Sequence, residues 1–238
     1  MKKITIAVAG IFLSLFSFAQ KINDPNAELR VAKDYHSIKL SSSFDVYITQ
    51  SNEESVAVSA SEKKYMDEIE VKVEGGVLSI GMKKNGWMKK WNNDKMKLKA
   101  YISFKTLKKL DVSGACNVYF QGVIKADDLT MHLSGASDIK GDIDVRNLDV
   151  DLSGASDITV KGKASSLKIQ ASGASDFKGY DLSTEFCNVD VSGASGVKIT
   201  VNKELSAKAS GASDVRYRGT GLIRDIKTNG ASSVSRGG

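Results

Sequence analysis

The chain has 238 residues, 41% hydrophobic and 26% charged, with one Pro and a formal net charge of +6, which describes an ordinary globular protein and excludes a disordered or collagen-like one. Two Cys and two His exclude a disulfide-rich scaffold, a four-Cys zinc site and a His-rich metal centre.

Met1–Ala19 reads as a secretory signal peptide. Lys2 and Lys3 form the positive start, Ile4 to Phe18 an apolar run of 15 residues, and Ser17-Phe18-Ala19 a small-x-small cleavage pattern. The alternative is an uncleaved anchor, but the run is short for a membrane span and no stop-transfer charge cluster follows. Cleavage lowers the formal charge from +6 to +4 by removing two Lys. That mild excess is spread out, and together with export it argues against nucleic acid as a partner. The sequence places the mature chain in the periplasm, at the cell surface or outside the cell, with no transmembrane span of its own.

Residues 20–33 read as an N-terminal linker. Residues 34–105 read as a β-rich region, because apolar residues alternate along Ile38-Leu40, Phe44-Val46-Ile48, Val56-Val58-Ala60, Ile69-Val71-Val73 and Met96-Leu98-Ala100-Ile102-Phe104. Gly75-Gly76 marks a turn, and Ser61–Asp67 suits one short helical turn. This region is expected to run into the next one and to cap its first rung. Lys83–Lys97 interrupts the alternation and carries both Trp residues among six Lys. Trp87, Trp91, Lys89 and Lys90 are the candidate binding residues, suited to stacking on sugar rings or to an anionic surface. The alternative is a long hairpin loop whose Trp side chains pack back on the sheet.

Residues 106–238 repeat. The pentads are SGACN at 113–117, SGASD at 134–138, 153–157 and 172–176, SGASG at 192–196, SGASD at 210–214 and NGASS at 229–233. Their starts are 21, 19, 19, 20, 18 and 19 residues apart. A fixed period of this length signals a solenoid. Period-two alternation before each pentad, as in Leu148-Val150-Leu152, and an apolar residue just after it, as in Ile158, leave no room for helices. The expected fold is therefore all-β: a right-handed parallel β-helix with coils of about 19 residues. Its pentad Gly permits an unusual backbone angle or a close approach between rungs. The pentad Ala is expected to point inward where the coil narrows, so that Ala155→Leu would overpack it. Free strand edges near Gly230–Gly238 would allow end-to-end self-association.

Asp138, Asp157 and Asp176 fall in one stacked column, where like charges about 5 Å apart repel. Either a metal ion, Ca²⁺ first, bridges these three carboxylates, or each Asp caps its own corner and is screened by the bases two residues on, Lys140, Lys178 and Arg216. The nine-residue calcium β-roll period is absent. Cys116 and Cys187 are 71 residues and several coils apart, so both are expected as free thiols. Cys187 occupies a slot that is Leu in neighbouring repeats. No cofactor is called for, and no G-x-S-x-G, H-E-x-x-H or P-loop occurs.

The chain resembles the exported head GIN domain family of auto-transporter adhesins. The resemblance rests on the leader ending SFAQ, on SSSFDVYITQSNEESVAVSA, on EGGVLSIG and on the SGAS(D) series, and spans roughly residues 34–235. It implies a β-helical domain at the cell envelope and supplies no catalytic residues; a translocating barrel is absent from this chain. The resulting expectation is an exported, non-catalytic binding or adhesion module that contacts polysaccharide or other envelope components. A carbohydrate-active enzyme and a purely structural envelope protein are the alternatives.

Overall fold

The computed structural model describes residues 24–83 and 96–237. The expected signal peptide and all four expected binding residues, Trp87, Lys89, Lys90 and Trp91, lie outside the described residues.

The elements in order are β1 (Glu28–Arg30), β2 (Ser37–Leu40), β3 (Asp45–Gln50), β4 (Ser55–Ala60), α1 (Lys63–Met66), β5 (Ile69–Glu74), β6 (Val77–Met82), β7 (Leu98–Phe104), β8 (Lys109–Val112), β9 (Asn117–Leu133), β10 (Asp138–Leu152), β11 (Asp157–Ala171), β12 (Asp176–Val191), β13 (Gly196–Gly211), β14 (Asp214–Arg218), β15 (Leu222–Gly230) and β16 (Ser233–Arg236). The molecule is a β-solenoid of about seven turns, coils about 19 residues apart. Strands β9 to β13 stack in parallel and nearly in register; Asn117, Asp138, Asp157, Asp176 and Gly196 are successive partners.

Alternation sets which side chains enter the rod. In β11, Ile158, Val160, Ala164, Leu167, Ile169 and Ala171 are buried, and consecutive outward residues at Lys161–Lys163 and Ser165–Ser166 mark where the chain bends. The same columns fill the neighbouring laps: Leu148, Val150 and Leu152 sit above, and Cys187, Val189 and Val191 below, all 5% exposed or less. Burying a Leu, Ile or Val stabilises by about 1.5–3 kcal/mol each, so these columns supply the main driving force.

The pentad corner is held by backbone. Gly154 has φ +76°, and its carbonyl accepts the N–H of Ala174 in the next lap at 2.8 Å. A Cβ at Gly154 would run into the Gly135 carbonyl of the lap before. Both expected roles of this glycine, the left-handed angle and the close approach, therefore hold at once.

The alanine expectation is corrected. Ala136, Ala155, Ala174, Ala194 and Ala212 do form a file, but it faces solvent. The inward pentad residue is the serine after it: Ser137, Ser156, Ser175, Ser195 and Ser213 are 0–2% exposed. The physical reason is the corner's own carbonyls. The Ser156 hydroxyl donates to the Ser153 carbonyl at 3.0 Å, and Ser175 does the same to Ser172 at 3.0 Å. A buried acceptor needs a donor more than the corner needs a methyl group. Cys116 fills the same slot in the first pentad, with its sulfur 3.5 Å from the Ser113 carbonyl.

The β-rich region does more than cover the end. Strand β2 pairs in parallel with β8, and β3 with β9, so residues 37–50 form an additional lap. Its corner is Ser41-Ser42-Ser43-Phe44-Asp45, an altered pentad. Ser42 stands in the glycine column with φ +79°, and its carbonyl accepts the Ala115 N–H at 2.7 Å. Above this lap lie β7 with the antiparallel strands β4 and β1 on one side, and the β5–β6 hairpin on another. The hairpin turns at Gly75-Gly76, and α1 sets Tyr65 and Met66 into the core. The segment expected as a linker thus carries β1.

Cys116 and Cys187 are free and buried. Burial pushes both thiols above their ordinary value, and Cys187 lies between Leu167 and Leu205 as expected.

Three outcomes follow. Gly154→Ala should destabilise the protein by about 2 kcal/mol or more, through backbone strain and the clash with Gly135. Ala155→Leu, on the solvent side, should change stability by less than about 0.5 kcal/mol in the same denaturant melts. Neither thiol should react with a thiol reagent at pH 8 in the native protein, and both should react once it is unfolded.

Candidate functional site

Stacked laps turn any outward position into a ladder with a spacing of about 4.8 Å. The position two residues after the pentad's last residue gives the most distinctive ladder. It runs Tyr101, Tyr47, Tyr119, Lys140, Thr159, Lys178, Lys198 and Arg216. The tyrosine rings stack, with centroids 5.3 Å apart for Tyr47–Tyr101 and 5.4 Å for Tyr47–Tyr119. The Tyr101 hydroxyl donates to Asp24 at 2.9 Å, which ties the residues before β1 to this ladder. Burial and the Asp24 carboxylate both push the Tyr101 hydroxyl above its ordinary value, so it stays a donor.

Beside the ladder lies a groove of about 590 Å³, made by unequal lap lengths. The laps starting at 113 and 172 have 21 and 20 residues, and those starting at 134 and 153 have 19. The extra residues bulge at one corner. Between Tyr119 and Val123 the first of these laps places three residues against Gly141 alone; between Lys178 and Leu182 the later one places three against Val160 and Lys161. Phe120 and Tyr180 therefore stand as walls three rungs apart, about 14 Å, with Gly141 and Val160 as floor. Gly141 packs directly under Phe120, where a Cβ would meet the ring. Tyr180 is propped from the far side by the Arg218 guanidinium, 4.0 Å from its ring centroid.

The charges in the groove are unevenly matched. Lys161 pairs with Asp142 at 3.3 Å, and Lys178 with Asp157 at 2.6 Å and Asp176 at 3.6 Å. Lys140 and Lys198 also line it and have no ion-pair partner among the described residues. The site presents two ammonium groups outside any ion pair among the described residues, aromatic walls and an apolar floor.

The structure brings Asp138, Asp157 and Asp176 into one register column, as the repeat predicts. The Lys178 ammonium sits between the last two, in the position that a bridging cation would take. Asp157 first, and Asp176 after it, hold that ammonium above its ordinary pKa. At the column's ends, Asn117 donates to Asp45 at 2.8 Å, and Ser233 and Arg216 bond Asp214, which holds that carboxyl below its ordinary value. Screening by bases two residues on is thus seen for Lys178 and Arg216. Asp157, Asp176 and Asp214 bond these neighbours rather than their own corner backbone, whereas the expected Asp138–Lys140 pair does not form. Among the described residues, no three carboxylate, imidazole or thiol groups converge to hold a metal ion. The groove and the tyrosines were not anticipated. The lap spacings of 21 and 20 and the Val-Tyr pairs after Asp45 and Asn117 were the available signals.

Fold and surface together define a capped parallel β-solenoid with ordered outward ladders. The chain belongs to the family described as "Putative auto-transporter adhesin, head GIN domain", whose model matches residues 34–221. Solved structures share the fold at low identity. One is described as a putative adhesin from Bacteroides fragilis: 19% identical, 88% of this chain and 95% of that one covered, TM-score 0.81. Another, described as a putative adhesin from Parabacteroides merdae, is 17% identical over 89% and 95% of the two chains, with a TM-score of 0.71. A third, described as a putative lipid binding protein from Parabacteroides distasonis, is 20% identical over 90% and 98%, with a TM-score of 0.65. Comparison with curated proteins returns no match. Among the described residues, no helix is long and apolar enough to cross a membrane.

Lys178→Met should expose the Asp157–Asp176 repulsion. Because these groups are solvent-accessible, the loss at neutral pH should be below about 1 kcal/mol. The sign follows from the raised lysine: its contribution is complete below its ordinary pKa of 10.5 and disappears as pH climbs through the higher folded value. Melts of wild type and variant should therefore differ at pH 7 and converge at high pH, above the raised lysine value. Calcium should leave the wild-type melting temperature unchanged.

Proposed function

We propose that this protein is an exported, non-catalytic adhesion module of the cell envelope that holds polysaccharide on its Tyr–Lys face. The observation that carries this reading is the groove between Phe120 and Tyr180, with Lys140 and Lys198 beside it and in no ion pair among the described residues. A saccharide ring can lie on the apolar floor against Tyr180, while the ammonium groups bond its hydroxyl or carboxylate oxygens. A rigid ladder repeats such contacts along a polymer, so weak individual contacts add up over its length. Membership of an adhesin family supports binding over catalysis. The segment with Trp87, Lys89, Lys90 and Trp91, outside the described residues, is a second proposed contact. The same family supports an envelope location, and the N-terminal Met1–Ala19 pattern supports export.

A glycan array with the purified chain tests this. Binding should fall about tenfold or more in Lys140→Ala/Lys198→Ala, whose exposed side chains leave the fold intact. A Trp87→Ala/Trp91→Ala variant measures that segment separately. Unchanged binding in the lysine variant places the contact elsewhere. Cleaved glycan supports the enzyme alternative, and silence across the array supports a structural role.

A further inference from the structure

The two ends of the rod are finished differently. At the start, Ile38, Leu40, Val46 and Ile48 of the first lap are 0–1% exposed, covered by the β-rich cap. At the other end, β15 pairs with β13 alone, so before Asn229, whose backbone the Ser232 hydroxyl engages, its second edge has no strand partner among the described residues. Its inward residues continue buried columns. Ile223 follows Leu205 and Ile226 follows Ala207, both 1% exposed, yet Ile223 is 46% and Ile226 38% exposed. Among the described residues nothing stacks beneath them.

We propose that this open lap is an interface for a second copy of the chain, joined end to end by antiparallel pairing of β15 with itself about a two-fold axis at Ile226. The charge pattern selects that occupant and register. With Ile226 opposite its own copy, Asp225 faces the partner's Lys227 and Lys227 faces the partner's Asp225. Both side chains lie on the outward face, one on each side of the inward Ile226. Within one chain the same pair is 3.1 Å apart, so joining turns two isolated pairs into one four-charge ladder. Both Ile226 side chains then enter a shared core, the backbone edges satisfy each other, and the contact closes at two copies. A charged edge ordinarily resists pairing, but here the charges are complementary to themselves.

Sedimentation of the purified chain over a range of concentrations tests this, with circular dichroism as a check on folding. The mass should rise from one chain to two and stop there. Asp225→Lys and Lys227→Asp should each weaken association about tenfold or more, because like charges then face each other, and the double exchange Asp225→Lys/Lys227→Asp should restore it. Ile226→Lys, which leaves the ion pair intact, should give a monomer and decides the matter if a single exchange disturbs folding. A monomer at every concentration, a double exchange no better than the singles, or growth beyond two copies overturns the proposal.

Discussion

The fold depends on one backbone contact made again from lap to lap: the carbonyl of the corner's second residue, Ser42 in the first lap and glycine in the next five, accepts the next lap's alanine N–H at 2.7–2.8 Å. The contact is possible only where no Cβ intervenes and φ is positive. Once it forms, the lap spacing is fixed, and the apolar columns, the buried serines and the outward ladders fall into place together. The pentad is therefore a spacer, and chemistry is written on the positions around it. That division explains why the residue two places after the pentad can be Tyr, Lys, Thr or Arg while the corner hardly changes.

The repeat and its inward columns were legible because alternation and period are one-dimensional signals. The serine–alanine assignment was not. A rule that places small apolar residues inside cannot see that Ser153 and Ser172 leave buried carbonyls needing donors. The first lap was hidden for a related reason: Ser41–Asp45 has neither Gly nor Ala, and Ser42 reaches the left-handed region without them. The groove needed two facts at once, the lap lengths and the corner at which the extra residues emerge, and only the second required coordinates. The Asp column was legible as a line of carboxylates and Lys178 as a base beside it, but that its ammonium bridges Asp157 and Asp176 is a matter of side-chain reach.

The functional reading follows from this architecture. A stacked rod cannot easily enclose a ligand, because its interior is filled by side chains, so recognition has to occur on ladders and at irregular laps. The groove is such an irregularity, bounded by two long laps and floored by two short ones. Its open form suits a chain-like ligand that passes over the surface.

The altered pentad at Ser42 also bears on how the molecule assembles. Most laps close against a neighbour about 19 residues away, but Leu40 must find Val112, across the whole excursion through β4 to β7. Short closures are fast and long ones slow. The part of the chain synthesised first is thus among the last to be secured, and nucleation belongs to the regular laps in the middle, with the cap zipped on afterwards.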